Sequence, residues 1–113
     1  MKSKIVALSK NEEFKNLLNQ RKVSNKYVTI FFGKLINKDN TKLNISFVTK
    51  KKIGNAVKRN KIKRRLRNIT NEAVKNISIN YNYSFLVIAK ASMLNNEYKI
   101  IKETLFQDFA KIK

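Results

Sequence analysis

Arginine is rare in this chain, and most of it lies in one place. Four of the five arginines, Arg59, Arg64, Arg65 and Arg67, fall within nine residues, and Arg21 is the fifth. Elsewhere the chain uses lysine. A guanidinium group is planar and forked, so it binds phosphate through two hydrogen bonds and stacks on bases, whereas an ammonium group acts as a point charge. The cluster therefore predicts a structured contact with a nucleic acid.

The arginines belong to a longer basic block, residues 50–67. Ten of its eighteen residues are lysine or arginine, and none is acidic. The whole chain of 113 residues carries a formal net charge of +19, from 26 basic and 7 acidic residues. A charge of this size on a small domain predicts a polyanionic partner, which is RNA, DNA or an anionic membrane surface.

Composition excludes several kinds of chemistry. The chain has no cysteine and no histidine, which excludes disulfides, thiol nucleophiles, imidazole catalysis and zinc-finger sites. Four apolar residues at 5–8 are too few for a signal peptide, and no stretch approaches the roughly 20 apolar residues of a membrane span. A chain of 113 residues is long enough for one domain and not for two, and 42% of it is hydrophobic, so it can fold. We expect a single domain over residues 1–113, located in the cytoplasm.

A long helix is predicted at residues 55–78, with Asn55 as its N-cap after Gly54. Apolar residues recur there at spacings of four and three, which predicts one buried stripe. The stripe consists of Ile62, Leu66, Ile69, Ala73 and Ile77. The face opposite Ile62 holds Asn60, Lys61, Arg64, Arg67 and Asn68, with Arg59 and Arg65 on opposite flanks. The helix thus combines a core face with a cationic face.

Other functions for such a helix remain open at this point. A charged face is often merely solvated, and a basic amphipathic helix can also lie on a membrane or bind calmodulin. The apolar stripe has no Trp or Phe, which favours packing in a core over insertion into a membrane. The absence of acids favours a polyanion over simple solvation.

The remaining elements predict an α+β fold. A first helix begins after Ser9, with Glu12 completing a capping box. Strands are predicted at 27–36 and 42–49, paired as a hairpin through a turn at 37–40, and a buried strand at 84–89. A last helix runs from Tyr98 to Ile112. The order α-β-β-α-β-α predicts a sandwich of helices on a small sheet.

Residues 51–67 resemble the arginine-rich motif of the bacterial ribonuclease P protein component. The family pattern has two lysines, an aliphatic residue, Gly-Asn-Ala-Val, any residue and Arg-Asn, followed by alternating basic and aliphatic residues around a further arginine. The chain fills every patterned position, and weaker matches lie at 8–14 and 85–90. The matching segment is Lys51-Lys52-Ile53-Gly54-Asn55-Ala56-Val57-Lys58-Arg59-Asn60-Lys61-Ile62-Lys63-Arg64-Arg65-Leu66-Arg67.

The resemblance implies both a fold and a function. The fold would be like domain 2 of ribosomal protein S5, with a left-handed β-α-β crossover that is unusual among proteins. The holoenzyme is an endoribonuclease that removes the 5′ leader from precursor tRNA by phosphodiester hydrolysis. Catalysis would belong to its RNA subunit and Mg²⁺, so the protein would carry no cofactor and no catalytic residue. Its partners would be that RNA and the leader, with no membrane and no DNA.

The resemblance also implies two sets of binding residues. The predicted RNA-binding residues are Lys51, Lys52, Asn55, Arg59, Asn60, Lys61, Lys63, Arg64 and Arg67, in the basic loop and helix at 50–78. Phe14 and Phe31 are predicted to line a leader-binding cleft between the first helix and the sheet. Strand alternation places Phe31 and Phe32 on opposite faces, so at most one of them lines this cleft. Packing in the core is the alternative role for each aromatic ring.

Two other functions compete with the ribonuclease P role that the resemblance implies. The first is a structural RNA-binding protein, such as a ribosomal protein. The second is a metal-dependent nuclease, which needs converging carboxylates. The seven acids are scattered over separate predicted elements, which disfavours the nuclease; they are Glu12, Glu13, Asp39, Glu72, Glu97, Glu103 and Asp108.

Overall fold

Three helices and five strands make up the computed structural model, which describes residues 5–6, 11–34 and 42–112. The helices are α1 (Asn11–Leu18), α2 (Ala56–Asn76) and α3 (Tyr98–Lys111). The strands are β1 (Ile5–Val6), β2 (Arg21–Ser24), β3 (Val28–Lys34), β4 (Leu43–Val48) and β5 (Tyr83–Ala89). Short 3-10 turns occupy Lys51–Ile53 and Ala91–Leu94. None of the helices in the described ranges is long and apolar enough to cross a membrane.

The strands form one sheet in the order β1-β4-β5-β3-β2. β5 is parallel to β4 and antiparallel to β3, and Phe85 is in register with Ile45 on one side and Phe32 on the other. The predicted hairpin between strands 27–36 and 42–49 is therefore wrong, because β5 separates them. β5 is the most continuously apolar strand, and such a strand is most stable in the centre of the sheet. The link between the parallel neighbours β4 and β5 is α2, a β-α-β crossover.

Two edge strands were not predicted from the sequence. β2 (Arg21–Ser24) pairs antiparallel with β3, and β1 pairs in parallel with β4. Arg21 begins β2 and does not continue the first helix. Three of the four residues of β2 are exposed, so this edge strand has little hydrophobic alternation to detect. The predicted cap at Ser9 and the turn at 37–40 lie outside the described residues.

One face of the sheet is covered by α2 and α3. From α2, the predicted stripe residues Ile62, Leu66, Ile69 and Ala73 are fully buried, while Ile77 is partly buried. Fully burying an aliphatic side chain of this size contributes about 1.5–3 kcal/mol relative to leaving it exposed. From α3, the buried apolar residues are Ile101, Leu105 and Phe109. The structure thus confirms the predicted helices 55–78 and 98–112, both in their positions along the chain and in which face of each is buried.

The opposite face of the sheet is covered less completely, by α1. Leu17 packs against Leu86 there, and the side chains of Phe31, Val48 and Ile88 are only partly buried. A Cβ atom at Gly33 in β3 would lie 3.0 Å from Gln20 Cγ and 3.1 Å from Leu17 Cδ2. Glycine at this position therefore lets α1 and the residues after it approach the strand closely.

Gly54 connects the 3-10 turn to α2 in a conformation that suits glycine alone. Its φ of 155° and ψ of −165° lie in a region that residues with a Cβ avoid. A Cβ there would also lie 2.8 Å from Lys58 Cδ. The backbone angle is the harder constraint, because the lysine side chain can rotate away.

We expect Gly54→Ala to lower the free energy of unfolding by about 1–3 kcal/mol, measured by urea denaturation, because alanine strains the backbone in this region. Adding Lys58→Ala to this variant removes the side-chain contact and leaves the backbone strain. The double variant should therefore stay as unstable as Gly54→Ala alone. If the double variant regained the stability of the native chain, the contact with Lys58, and not the backbone strain, would be the cause of the destabilisation.

Candidate nucleic-acid interface

The start of α2 is built by Asn55. Its side-chain Oδ1 accepts a hydrogen bond from the Lys58 backbone N–H at 3.0 Å, which confirms the predicted N-cap. The first turn contains no acid, so the positive end of the helix dipole is not neutralised there. Lys51 and Lys52 lie in the 3-10 turn just before this end, and both are exposed.

The exposed face of α2 carries most of the predicted RNA-binding residues, and we call it the cationic ridge: Asn60, Lys61, Lys63, Arg64 and Arg67. All five side chains are exposed, while the opposite side of the helix is buried in the core. Four of them, together with Val57, line a shallow depression with a volume of about 470 Å³. The structure therefore brings these residues together on one open surface.

Arg59 lies on the flank of the ridge, as predicted. Its side chain is partly buried, and its Nε is enclosed without a hydrogen-bond partner among the described residues. Arg59 is thus less open to solvent than Arg64 and Arg67. Of the predicted RNA-binding residues, it is the one most closely packed against the fold.

Arg65, on the other flank, has an internal role. Its Nη1 donates hydrogen bonds to the backbone carbonyls of Met93, at 3.1 Å, and Asn96, at 3.3 Å. These carbonyls belong to the segment between β5 and α3. Arg65 therefore ties α2 to that segment, 28 and 31 residues further along the chain, and belongs to the fold rather than to the ridge.

Phe31 and Phe32 point to opposite faces of the sheet, as strand alternation predicts. Phe31 is partly buried on the α1 side, with Lys22 Nζ 5.9 Å from its ring centroid. Phe32 is buried in the main core, with the Arg21 guanidinium 5.1 Å from its ring centroid. Only Phe31 of this pair can line a cleft beneath α1. The side chain of Phe14 lies outside the described part of the structure.

Two of the acidic residues serve the fold. Glu72 accepts a hydrogen bond from the Tyr98 hydroxyl at 2.8 Å. Burial, with this bond and the charge of Glu72, raises the pKa of Tyr98 to about 12. Asp108 is buried and accepts a hydrogen bond from Asn25. Across the described ranges, no three acidic side chains come together to hold a metal ion.

Comparison with known proteins identifies the family. A family model described as Ribonuclease P matches residues 3–113. The chain belongs to this family. It is 36% identical to the ribonuclease P protein component of Carboxydothermus hydrogenoformans over 102 residues, which covers 87% of this chain and 83% of that protein. It is also 31% identical to the Mycoplasma mycoides subsp. mycoides component over 113 residues, the full length of both.

Solved structures of ribonuclease P proteins share the fold. The Thermotoga maritima protein superposes with a TM-score of 0.80 at 22% identity, covering 96% of this chain and 98% of that one. The Staphylococcus aureus protein gives a TM-score of 0.76 at 25% identity, covering 93% and 92%. These structures confirm the α+β fold class. The family match confirms the resemblance and counts against the ribosomal-protein alternative.

The role of Arg65 can be separated from that of its neighbour Arg64. We expect Arg65→Lys to lower the free energy of unfolding by about 1–3 kcal/mol in urea denaturation, because the lysine side chain is one atom shorter and its ammonium group ends before the position of Nη1, which donates both hydrogen bonds. Arg64→Lys should leave stability unchanged, since Arg64 is exposed. Equal stability of the two variants would contradict the internal role of Arg65.

Proposed function

We propose that this chain is the RNA-binding protein subunit of ribonuclease P, assisting the catalytic RNA in removing the 5′ leader from precursor tRNA. The observation that carries the proposal is the cationic ridge. Its cations lie on an exposed helix face without any acid nearby in sequence, and the reverse side of the same helix is core. A face that only needed solubility would gain from interspersed acids, because like charges repel.

The geometry of the ridge suits a phosphate backbone. Arg64 and Arg67 are three residues apart, so they are neighbours on one helix face. Each can donate two hydrogen bonds to a phosphate. Lys51, Lys52 and the positive end of the α2 dipole extend the positive potential beyond the first turn. We place the catalytic RNA along the ridge, with its end towards Lys51 and Lys52.

The leader would bind on the other face of the sheet, beneath α1. Phe31, Val48 and Ile88 leave apolar surface partly open there, and Lys22 adds a cation beside the Phe31 ring. Stacking on an aromatic ring, together with nearby cations, is how proteins bind single strands without strong sequence preference. Helical spacing puts position 14 one turn before Leu17, which supports Phe14 as the second cleft residue.

The hydrolysis itself would take place on the RNA. The chain has no histidine or cysteine, and its described acids do not converge, so the donors present do not suit a catalytic metal. In this proposal Mg²⁺ belongs to the RNA subunit, and the protein binds and orients its two RNA partners in the cytoplasm. DNA and membranes are not expected partners.

The ridge can be tested by its salt dependence. We expect Arg64→Ala with Arg67→Ala to weaken binding to a bacterial ribonuclease P RNA and to flatten the slope of log K against log salt. The change should be about one unit for each lost phosphate contact. Filter binding or fluorescence titration over a range of salt concentrations measures both quantities.

A matched control removes two charges from elsewhere. Lys75 and Lys99 are exposed, so Lys75→Ala with Lys99→Ala lowers net charge equally but leaves the ridge intact. We expect a much smaller change of slope. If the two double variants behave alike, only net charge matters and the ridge assignment is wrong.

The cleft can be tested by comparing precursor with mature tRNA. We expect Phe14→Ala and Phe31→Leu each to weaken binding of precursor tRNA by the holoenzyme more than binding of mature tRNA. The difference should be about 1–3 kcal/mol for a lost stacking contact. Leucine at position 31 keeps apolar volume in place while removing the ring, so packing against α1 changes little.

Phe32 provides the control for Phe31, because it is adjacent in sequence but buried on the other face. Phe32→Leu should lower the free energy of unfolding without changing the preference for precursor over mature tRNA. Equal losses for the two tRNAs in Phe31→Leu would show that this ring only packs within the protein.

A further inference from the structure

One exposed residue beside the cationic ridge, Val57, is apolar. Val57 is 75% exposed, more than Leu18 at 48% or Ile100 at 47%, the other large apolar residues exposed in the described ranges. An isolated exposed apolar residue is common on protein surfaces. Val57 differs because it lines the 470 Å³ depression together with Asn60, Lys63, Arg64 and Arg67.

Helix stability does not account for valine at this position. β-branched residues lose side-chain freedom in a helix, so valine is a poorer helix former than alanine, lysine or arginine. Because Val57 points mostly into solvent, it also gains little from packing. If this position only stabilised the helix, alanine would be the better residue. If it only added positive charge, lysine or arginine would be.

The lining of the depression combines three kinds of contact. Val57 offers an apolar surface, Lys63, Arg64 and Arg67 offer cations, and Asn60 offers an amide that both donates and accepts hydrogen bonds. The Asn60 amide makes no hydrogen bond to the described residues. A phosphate group alone can use the cations and the N–H donors of the Asn60 amide, but it leaves Val57 uncovered. A nucleotide uses all three, through the apolar face of its base, the polar edge of its base and its phosphate.

We propose that this depression seats one unpaired nucleotide of the bound RNA. This inference rests on the proposed function and adds a site to it. The base face covers Val57, the Asn60 amide hydrogen-bonds a polar edge of that base, and the flanking phosphates lie on Lys63, Arg64 and Arg67. The nucleotide must be unpaired, because base faces inside an A-form helix are stacked and only splayed bases expose them. The volume of the depression, about 470 Å³, is also within the range of ligand pockets, about 300–1,000 Å³.

The test is binding of the full chain to a bacterial ribonuclease P RNA at several salt concentrations. We expect Val57→Ala to weaken binding about threefold to tenfold, through lost apolar contact, with an unchanged salt slope because no charge is removed. Reduced folding cannot explain this loss, since alanine is the better helix former. Val57→Lys should also weaken binding, although it adds a positive charge to the ridge.

Ile100→Ala is the matched control, because it truncates an exposed apolar residue on α3 and should leave affinity unchanged. Chemical probing of the RNA should show an unpaired nucleotide that is protected by the native chain and reactive with Val57→Ala.

Unchanged affinity in Val57→Ala, or tighter binding in Val57→Lys, would overturn this site. If Arg64→Ala with Arg67→Ala still flattens the salt slope in that case, the proposed function stands without it; a native chain that fails to bind the RNA would refute both.

Discussion

The burial of one side of α2 is the constraint on which the rest of the molecule depends. Ile62, Leu66, Ile69 and Ala73 are fixed in the core against the sheet, and this fixes the rotation of the helix about its axis. Every other side chain of α2 then has a determined direction. The cations are not placed by their own interactions. They are exposed because the hydrophobic effect, which dominates folding, holds the opposite stripe inside.

This arrangement gives the arginines of α2 different surroundings. Arg64 and Arg67 point away from the core and keep their donors available, whereas Arg65 uses its donors on carbonyls of its own chain. Arg59 lies between these cases, partly buried. Two residues next to each other in sequence, Arg64 and Arg65, differ by about 100° around the helix. That rotation is enough to turn one guanidinium towards solvent and the other towards a neighbouring segment.

The sequence was informative wherever a feature depends on local periodicity. The stripe of α2, the cap at Asn55, the buried strand β5 and the opposite directions of Phe31 and Phe32 all follow from spacing, and the structure confirms them. Features that depend on distant partners were not predictable in this way. The hairpin was inferred from closeness in sequence, but the strands pair according to burial, and β5 lies between them.

The partner carbonyls of Arg65 lie beyond β5, so periodicity in α2 places this side chain on a flank without showing what it binds. The short edge strand β2 has mostly exposed residues, which leaves no pattern to read. Val57 stands in the family motif beside the arginines, and helical spacing puts it on the same face as Asn60 and Arg64; the structure adds how exposed it is.

The crossover from β4 through α2 to β5 has a consequence for how this protein can evolve. In many proteins a binding loop can lengthen, shorten or be exchanged while the scaffold stays intact. Here the helix that carries the cationic ridge is itself the connection between two central strands. An insertion or deletion within it would rotate the cations relative to the buried stripe, by about 100° for each residue. Change at this surface is therefore restricted to substitution, one side chain at a time, on a helix of constant length.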